Sequence, residues 1–289
     1  MRYDVSCNSS MKGFLKEIDA YIKVNKEIRQ KFEEASQTVK DVGDMSRQMH
    51  DAINEATKDL TTQLGEIDWI GIMKTWRESA EKLGEKGWTT PLSMTPREVV
   101  EFSKIQDIDT AMEEYFSYDN ECAYTRMKRD VLDHKLVGSW KGLLEQCFNS
   151  YENGNYLVAI PNLFIIVEGI ARMLISQKFE KHKIGRRTSL KNQYETVRED
   201  VSQEDETKDR VYLVAYVSVL GFLNQVFQQG NFDRNPTRFP IINRDWVLHG
   251  KDTPSNWKKV DALRLFNAIY SLTAVDFLLE KPKEQLTEA

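Results

Sequence analysis

The segment 243–250 reads Asn-Arg-Asp-Trp-Val-Leu-His-Gly and places an arginine five residues before a histidine. The planar guanidinium of Arg244 can hold two phosphate oxygens at once. His249 is of the residue type that titrates near neutral pH, so it can act as a general base or acid. Cleavage of an RNA strand by its own 2′-hydroxyl requires these two functions and no metal ion. Arg244 and His249 are therefore the candidate catalytic residues.

The spacing of these two residues constrains the helix that carries them. Positions five apart on an ideal α-helix lie about 140° apart around the axis and about 7.5 Å apart along it. Arg244 and His249 would act together only if the helix is distorted, if it ends at His249, or if a second subunit completes the site. Gly250 follows directly and favours a helix end at His249, because glycine commonly adopts the left-handed conformation just past a helix terminus.

The same spacing occurs a second time, at Arg129 and His134. When spacings of four to six residues are allowed, about 0.7 arginine–histidine matches are expected by chance from this composition, so the surroundings must separate the two copies. The Arg244 copy is preceded by an asparagine, followed by a glycine, and lies between the proline-containing and asparagine-containing loop 231–240 and the last apolar helix. The Arg129 copy has none of these surroundings.

In these surroundings the segment resembles the HEPN superfamily of small all-helical domains. Many members carry an arginine followed by a polar residue, with a histidine four to six residues beyond the arginine. The run 156–169, Tyr-Leu-Val-Ala-Ile-Pro-Asn-Leu-Phe-Ile-Ile-Val-Glu-Gly, is similar to the long second helix of bacterial HEPN-like proteins whose motif ends in His-Gly. The resemblance covers roughly residues 120–280 and leaves residues 1–88 outside it.

The resemblance implies an activity and partners. It implies a metal-independent endoribonuclease with no cofactor, which cuts RNA to 2′,3′-cyclic phosphate and 5′-hydroxyl ends. Such proteins are bacterial toxins or phage-defence effectors of the abortive-infection type. A homodimer would bring two motifs together, and an antitoxin or sensor partner could bind the N-terminal helices. A non-catalytic HEPN-like interaction or dimerisation module, and an N-terminal coiled-coil scaffold, stay open as alternatives.

Three further residues are candidates to support the site. Glu168 interrupts an apolar run and could orient Arg244 or form a structural ion pair with it; both roles are favoured over acid–base chemistry. Asp245 could position Arg244, or could be an acidic residue at a helix start, where the helix dipole favours a negative charge. Asn243 directly precedes the motif as a supporting residue.

The charge distribution bears on RNA binding. The chain has 40 basic and 45 acidic residues, so its net charge of −5 excludes a cationic coat over the whole surface. Residues 1–137 hold 20 basic and 26 acidic side chains, while residues 138–289 hold 20 and 19. The basic stretch 178–191 is a candidate phosphate contact, although a solvated loop is favoured because short surface charge runs usually bind no ligand. Its candidate RNA-binding residues are Lys181, Lys183, Arg186 and Arg187.

The elements that must position these residues are helices. Only 14 glycines and 7 prolines occur, too few for the many turns of a sandwich or barrel, and apolar residues recur at spacings of three and four. Thr95, Pro96 and Glu98 form a capping-box start, and Asn153-Gly154 a helix stop. The prediction is an all-α chain: an N-terminal long-helix, coiled-coil-like region at 1–88, a junction at 87–95, and a HEPN-like helical bundle at 89–289.

Other classes of site and location are disfavoured. The three cysteines are widely spaced without a CxxC pair, and the four histidines do not cluster with them, so no metal site is expected. No continuous apolar run reaches 18 residues and the start has no signal-peptide pattern, so neither a membrane span nor secretion is expected. Reduced cysteines fit a cytoplasmic protein.

Overall fold

The computed structural model describes residues 68–91, 93–178, 190, 192–196, 211–230, 232 and 237–278, together with single positions 23, 26, 27 and 30. No strand occurs among these residues, which confirms the all-α prediction. Of the long-helix, coiled-coil-like region predicted at 1–88, only residues 68–88 and the four single positions lie among them. The chain divides into two compact units, 1–74 and 75–289, and Arg244, His249 and Glu168 all lie in the second.

In chain order, the α-helices of the described residues are α1 Trp69–Glu85, α2 Pro96–Phe102, α3 Ile108–Asp133, α4 Lys141–Glu152, α5 Tyr156–Lys178, α6 Val211–Val226, α7 Arg244–Leu248 and α8 Lys259–Leu278. Short 3₁₀ turns occupy Lys135–Trp140 and Pro254–Asn256. Among the prolines of the described residues, Pro96 opens α2, Pro161 lies inside α5, and the others lie outside the α-helices.

Helix ends follow local side-chain chemistry. At the start of α2, the Thr95 hydroxyl accepts a hydrogen bond from the Glu98 amide, and Glu98 accepts one from the Thr95 amide at 2.7 Å. This confirms the predicted capping box. Asp107 caps α3 by accepting from the Thr110 amide at 3.3 Å. Gly154, with φ +79°, follows the end of α4 as predicted.

Helix α5 is the centre of the bundle. It packs against α8 and α4, with a smaller contact to α7, and α8 packs in turn against α6 and α3. By length and hydropathy alone, the part Tyr156–Ile175 could cross a membrane, but 56% of it is buried inside the bundle. Its outward stripe carries Glu168 and Arg172. Such burial is usual for the central helix of a bundle, and the cytoplasmic location stays a prediction.

The predicted junction at 87–95 begins with a buried segment. Residues 87–91 are all buried, and polar side chains of α8 satisfy their backbone. Asn267 donates to the Thr89 carbonyl at 2.7 Å, and Ser271 donates to the Thr90 carbonyl at 3.0 Å. Because a buried backbone group must find a hydrogen-bond partner, these two α8 side chains allow an irregular segment to lie in the core.

A buried arginine secures the same segment. Arg264 of α8 is 1% exposed, donates to the Lys86 carbonyl at 3.1 Å, and pairs with Asp109 at 2.7 Å. Its guanidinium lies 4.9 Å from the ring centre of Trp88. A buried charge needs such partners, so Trp88 and its neighbours are integral to the core of the unit that begins at residue 75.

Candidate active site

The candidate motif forms the short helix α7. The side-chain oxygen of Asn243 accepts hydrogen bonds from the Asp245 and Trp246 amides at 3.0 and 3.3 Å, which makes it the N-cap. The helix ends with His249 as its C-cap, and Gly250 follows with φ +63°. This confirms the predicted helix end at His249.

Asn243 also ties α7 to the end of α6. Its amide nitrogen donates to the Gln228 carbonyl at 3.0 Å and to the Gln225 carbonyl at 3.4 Å. The side chain uses its oxygen for α7 and its nitrogen for α6, and the residue is 1% exposed. Asn243 is therefore a positioning residue, which sets where Arg244 begins the helix.

Arg244 is held by two carboxylates. Its Nε and Nη2 lie 3.1 and 2.9 Å from Oε2 of Glu168, and its Nη1 lies 2.9 Å from Oδ1 of Asp245. Asp245 in turn accepts a hydrogen bond from the Gly230 amide at 3.0 Å. Burial would lower the pKa of Arg244, but the hydrogen bonds and charges of Asp245 and Glu168 outweigh it and raise that pKa. The guanidinium stays charged and oriented, as expected for either role assigned to Glu168.

A second arginine shares the same carboxylate and was not predicted as a site residue. Arg172 lies one turn after Glu168 on α5 and donates to its Oε1 from Nη2 at 2.8 Å and from Nε at 3.1 Å. The signal in the sequence was the Glu–Arg pair at i,i+4, which places both side chains on one face of a helix. In an otherwise apolar run, that pair marks the outward stripe.

His249 occupies an exposed position at the other end of α7. Its ring lies 5.9 Å from the ring of Phe232, edge to face, and the ammonium of Lys251 lies 5.7 Å from the centre of the Phe232 ring. Among the described residues, no group forms a hydrogen bond with the imidazole of His249.

The structure brings Arg244, Glu168 and Asp245 together but leaves His249 on a different flank of α7. Trp246 and Val247 are the buried side of the helix. With about 100° per residue, Arg244 and His249 border the outward side from its two edges. The guanidinium reaches towards α5 and the imidazole towards Phe232, and in the described part of the chain the two groups do not contact each other.

The second copy of the spacing is placed differently. Arg129 is exposed and pairs with its neighbour Asp130 at 2.8 Å. The Nδ1 atom of His134 accepts a hydrogen bond from the Leu136 amide at 3.2 Å, and its Nε2 lies 3.8 Å from a carboxylate oxygen of the buried Asp276. His134 caps a 3₁₀ turn, so its imidazole has a structural role.

Other candidate features lie elsewhere. A groove of about 500 Å³ runs beside α3 and α4, and none of the predicted site residues lines it. In the described part of the chain, no group of three or more histidine, cysteine or acidic side chains is placed to hold a metal ion. The predicted RNA-binding residues Lys181, Lys183, Arg186 and Arg187 lie outside the described residues.

Comparison of this chain with protein-family models, with curated proteins and with solved structures gives no match. The HEPN resemblance of the 243–250 segment therefore stays a prediction, and the helical class is what the structure itself establishes.

Proposed function

We propose that the chain is a metal-independent endoribonuclease in which Arg244 binds the phosphate and His249 transfers protons. The observation that carries the proposal is the exposed imidazole of His249, which no described residue engages by a hydrogen bond. The imidazole of His134, at the same spacing from its arginine, is occupied by the Leu136 amide. The Arg244 copy alone thus offers a general base to a ligand.

The proposed reaction uses the 2′-hydroxyl of the RNA as nucleophile. His249 accepts the proton of that hydroxyl as its oxygen attacks the adjacent phosphorus, and the bond to the 5′-oxygen breaks. The negative charge that develops on the phosphate oxygens is stabilised by Arg244. The leaving 5′-oxygen takes up a proton, which yields 2′,3′-cyclic phosphate and 5′-hydroxyl ends.

A homodimer is part of the proposal, because a second His249 would supply the acid. The outward stripe of α5 supports it: Val158 and Ile165 are 63% and 44% exposed, on the same helix face as Glu168. Exposed apolar side chains grouped on one face favour association. By the resemblance, we further propose that this is a cytoplasmic toxin or phage-defence effector, with an antitoxin or sensor partner bound through its N-terminal helices.

The test is RNA cleavage by purified protein in the presence of a chelator, with the product ends analysed. We expect wild type to cut a single-stranded RNA and His249→Ala to lose at least a hundredfold in rate, the usual scale of general acid–base catalysis. Arg129→Gln, at the exposed arginine of the second copy, is the matched control and should keep full activity. Equal cleavage by wild type and His249→Ala, or none by either, would refute the proposal.

A second candidate function is a non-catalytic helical interaction module. The observation in its favour is that two carboxylates hold Arg244, as in a structural ion pair. Because His249 is exposed, His249→Ala should change the unfolding free energy by no more than about 0.5 kcal/mol. Loss of cleavage at an unchanged melting temperature would therefore exclude the module. The non-catalytic module would be favoured if the melting temperature of His249→Ala falls appreciably below that of wild type and wild type itself yields no RNA product.

A further inference from the structure

Two arginines on different helices share one carboxylate at the outward face of the bundle. Oε1 of Glu168 accepts from Arg172, 2.8 Å from Nη2, and Oε2 lies 2.9 Å from Nη2 of Arg244. The two guanidinium groups therefore lie on either side of the Glu168 carboxylate, each in direct contact with one of its oxygens. Neither the motif nor the proposed reaction assigns a role to Arg172.

Both guanidinium groups keep donors for a ligand. An arginine has five N–H donors. Glu168 takes two of them from Arg172, while Glu168 and Asp245 together engage Nε, Nη1 and Nη2 of Arg244 once each. Within the described residues, Arg172 thus keeps three donors and Arg244 two. Their side chains are 41% and 28% exposed, so solvent reaches both.

The surrounding structure keeps the pair in place. A Cβ atom at Gly169 would lie 2.3 Å from the Trp140 ring, so the indole packs directly on the α5 backbone beside Glu168. Arg244 is positioned by the Asn243 cap described above. An arginine side chain carries about 2 kcal/mol of rotamer entropy. Part of that entropy is already lost in the free protein, which lowers the cost of ordering both side chains on a ligand.

We propose that Arg172 and Arg244, oriented by Glu168, form a two-guanidinium site for the phosphates of a single RNA strand. This inference rests on the proposed ribonuclease function, since the Arg244 phosphate would be the one at the cleaved bond. Glu168 and Asp245 balance the two positive charges locally, so a lone phosphate ion gains little. A strand presents adjacent phosphates to both guanidiniums at once, and the second contact forms at a high effective concentration.

The test is binding of a 2′-O-methyl RNA oligonucleotide, which lacks the attacking hydroxyl and cannot be cut. Fluorescence anisotropy at several salt concentrations gives Kd and its salt dependence. We expect Arg172→Gln to raise Kd roughly tenfold at low salt, which corresponds to the free energy of one hydrogen bond to a charged group. It should also reduce the slope of log Kd against log salt by about 0.7. Arg172→Lys keeps the positive charge but lacks the planar set of N–H donors of a guanidinium, so it should raise Kd less than Arg172→Gln does.

Arg97→Gln is the matched control, because Arg97 forms the same i,i+4 pair with Glu101 on α2 at 3.0 Å. It should leave Kd and the salt slope unchanged. An affinity and slope in Arg172→Gln equal to those of wild type would overturn the inference, and if that variant fails to fold, wild-type behaviour of Arg172→Lys overturns it. Competition by inorganic phosphate at millimolar concentration would also overturn it, because the site would then take a lone anion.

The outcome is separable from that of the ribonuclease proposal. If wild type cuts no RNA but binds the oligonucleotide in a manner that depends on Arg172, the catalytic proposal fails and the phosphate site stands. If cleavage requires His249 while binding is indifferent to Arg172, the ribonuclease stands and the two-guanidinium site fails.

Discussion

Replacing Asn243 by alanine should destabilise the protein more than any loss of an exposed cap. In the folded chain its oxygen accepts from the Asp245 and Trp246 amides, and its nitrogen donates to the Gln228 and Gln225 carbonyls. The residue is buried. Alanine removes the N-cap of α7 and the link from α7 to α6 in one step.

The magnitude follows from these two losses. An N-cap contributes about 1 kcal/mol, and a buried carbonyl left without its donor costs about 1–3 kcal/mol. Asn243→Ala should therefore lower the unfolding free energy by about 2–4 kcal/mol. For a protein of this size each kcal/mol shifts Tm by about 2–4 °C, so the melting temperature should fall by roughly 5–15 °C.

Thermal unfolding followed by circular dichroism measures this change, with two comparison variants. Thr95→Ala removes the exposed cap of α2 and should lower Tm by only about 2–4 °C. Asn243→Asp keeps the cap oxygen, loses the amide donor, and places a carboxylate against two carbonyls, so it should also melt well below wild type. A fall in Asn243→Ala no larger than that in Thr95→Ala, or an Asn243→Asp variant that melts like wild type, would refute the reasoning.

Two further predictions concern packing and pH. Gly221→Ala would place a Cβ 2.8 Å from the Cα of Gly84, and overpacking of about 1–3 kcal/mol should exceed the helix-propensity gain of about 1 kcal/mol. Gly142→Ala meets nothing within 4 Å and should raise Tm; a Gly221→Ala variant as stable as Gly142→Ala contradicts the close approach. Burial raises the pKa of Asp252, but the hydrogen bond and charge of Arg238 outweigh it and lower that pKa. Its stabilisation is therefore fully present above the unfolded-state pKa of about 4 and is lost as the pH falls through the lower pKa of the folded state. The gap in Tm between wild type and Asp252→Asn, about 2–4 °C at pH 7, should therefore narrow progressively as the pH falls below about 4. A constant gap would contradict it.

Features that depend on neighbouring residues were predictable from the sequence. The capping box at Thr95, the stop at Gly154 and the end of α7 before Gly250 all occur as predicted. Each is decided by hydrogen bonds and backbone angles within a few residues, which a spacing rule can capture. The pairing of Arg244 with Glu168 was expected under both roles considered for Glu168, since a carboxylate inside an apolar run needs a cationic partner.

Features that depend on residues distant in the sequence could not be predicted from it. Residues 87–91 have the composition of a surface junction, yet they are buried because Asn267 and Ser271 on α8 satisfy their carbonyls from about 180 positions away. Arg172 gained its place in the candidate site only because α7 packs on α5 and brings Arg244 to the far oxygen of the same carboxylate.

The sequence by itself determined the helical class, the helix ends and the identity of the two residues that can do phosphate and proton chemistry, because periodicity, caps and side-chain chemistry are local properties. Only the tertiary structure decided which copy of the Arg-x4-His spacing presents an accessible histidine. Nδ1 of His134 accepts from the Leu136 amide two residues on, while its Nε2 lies 3.8 Å from a carboxylate oxygen of the buried Asp276 on α8. The second contact depends on how α8 packs beside the end of α3, which no spacing within the motif records.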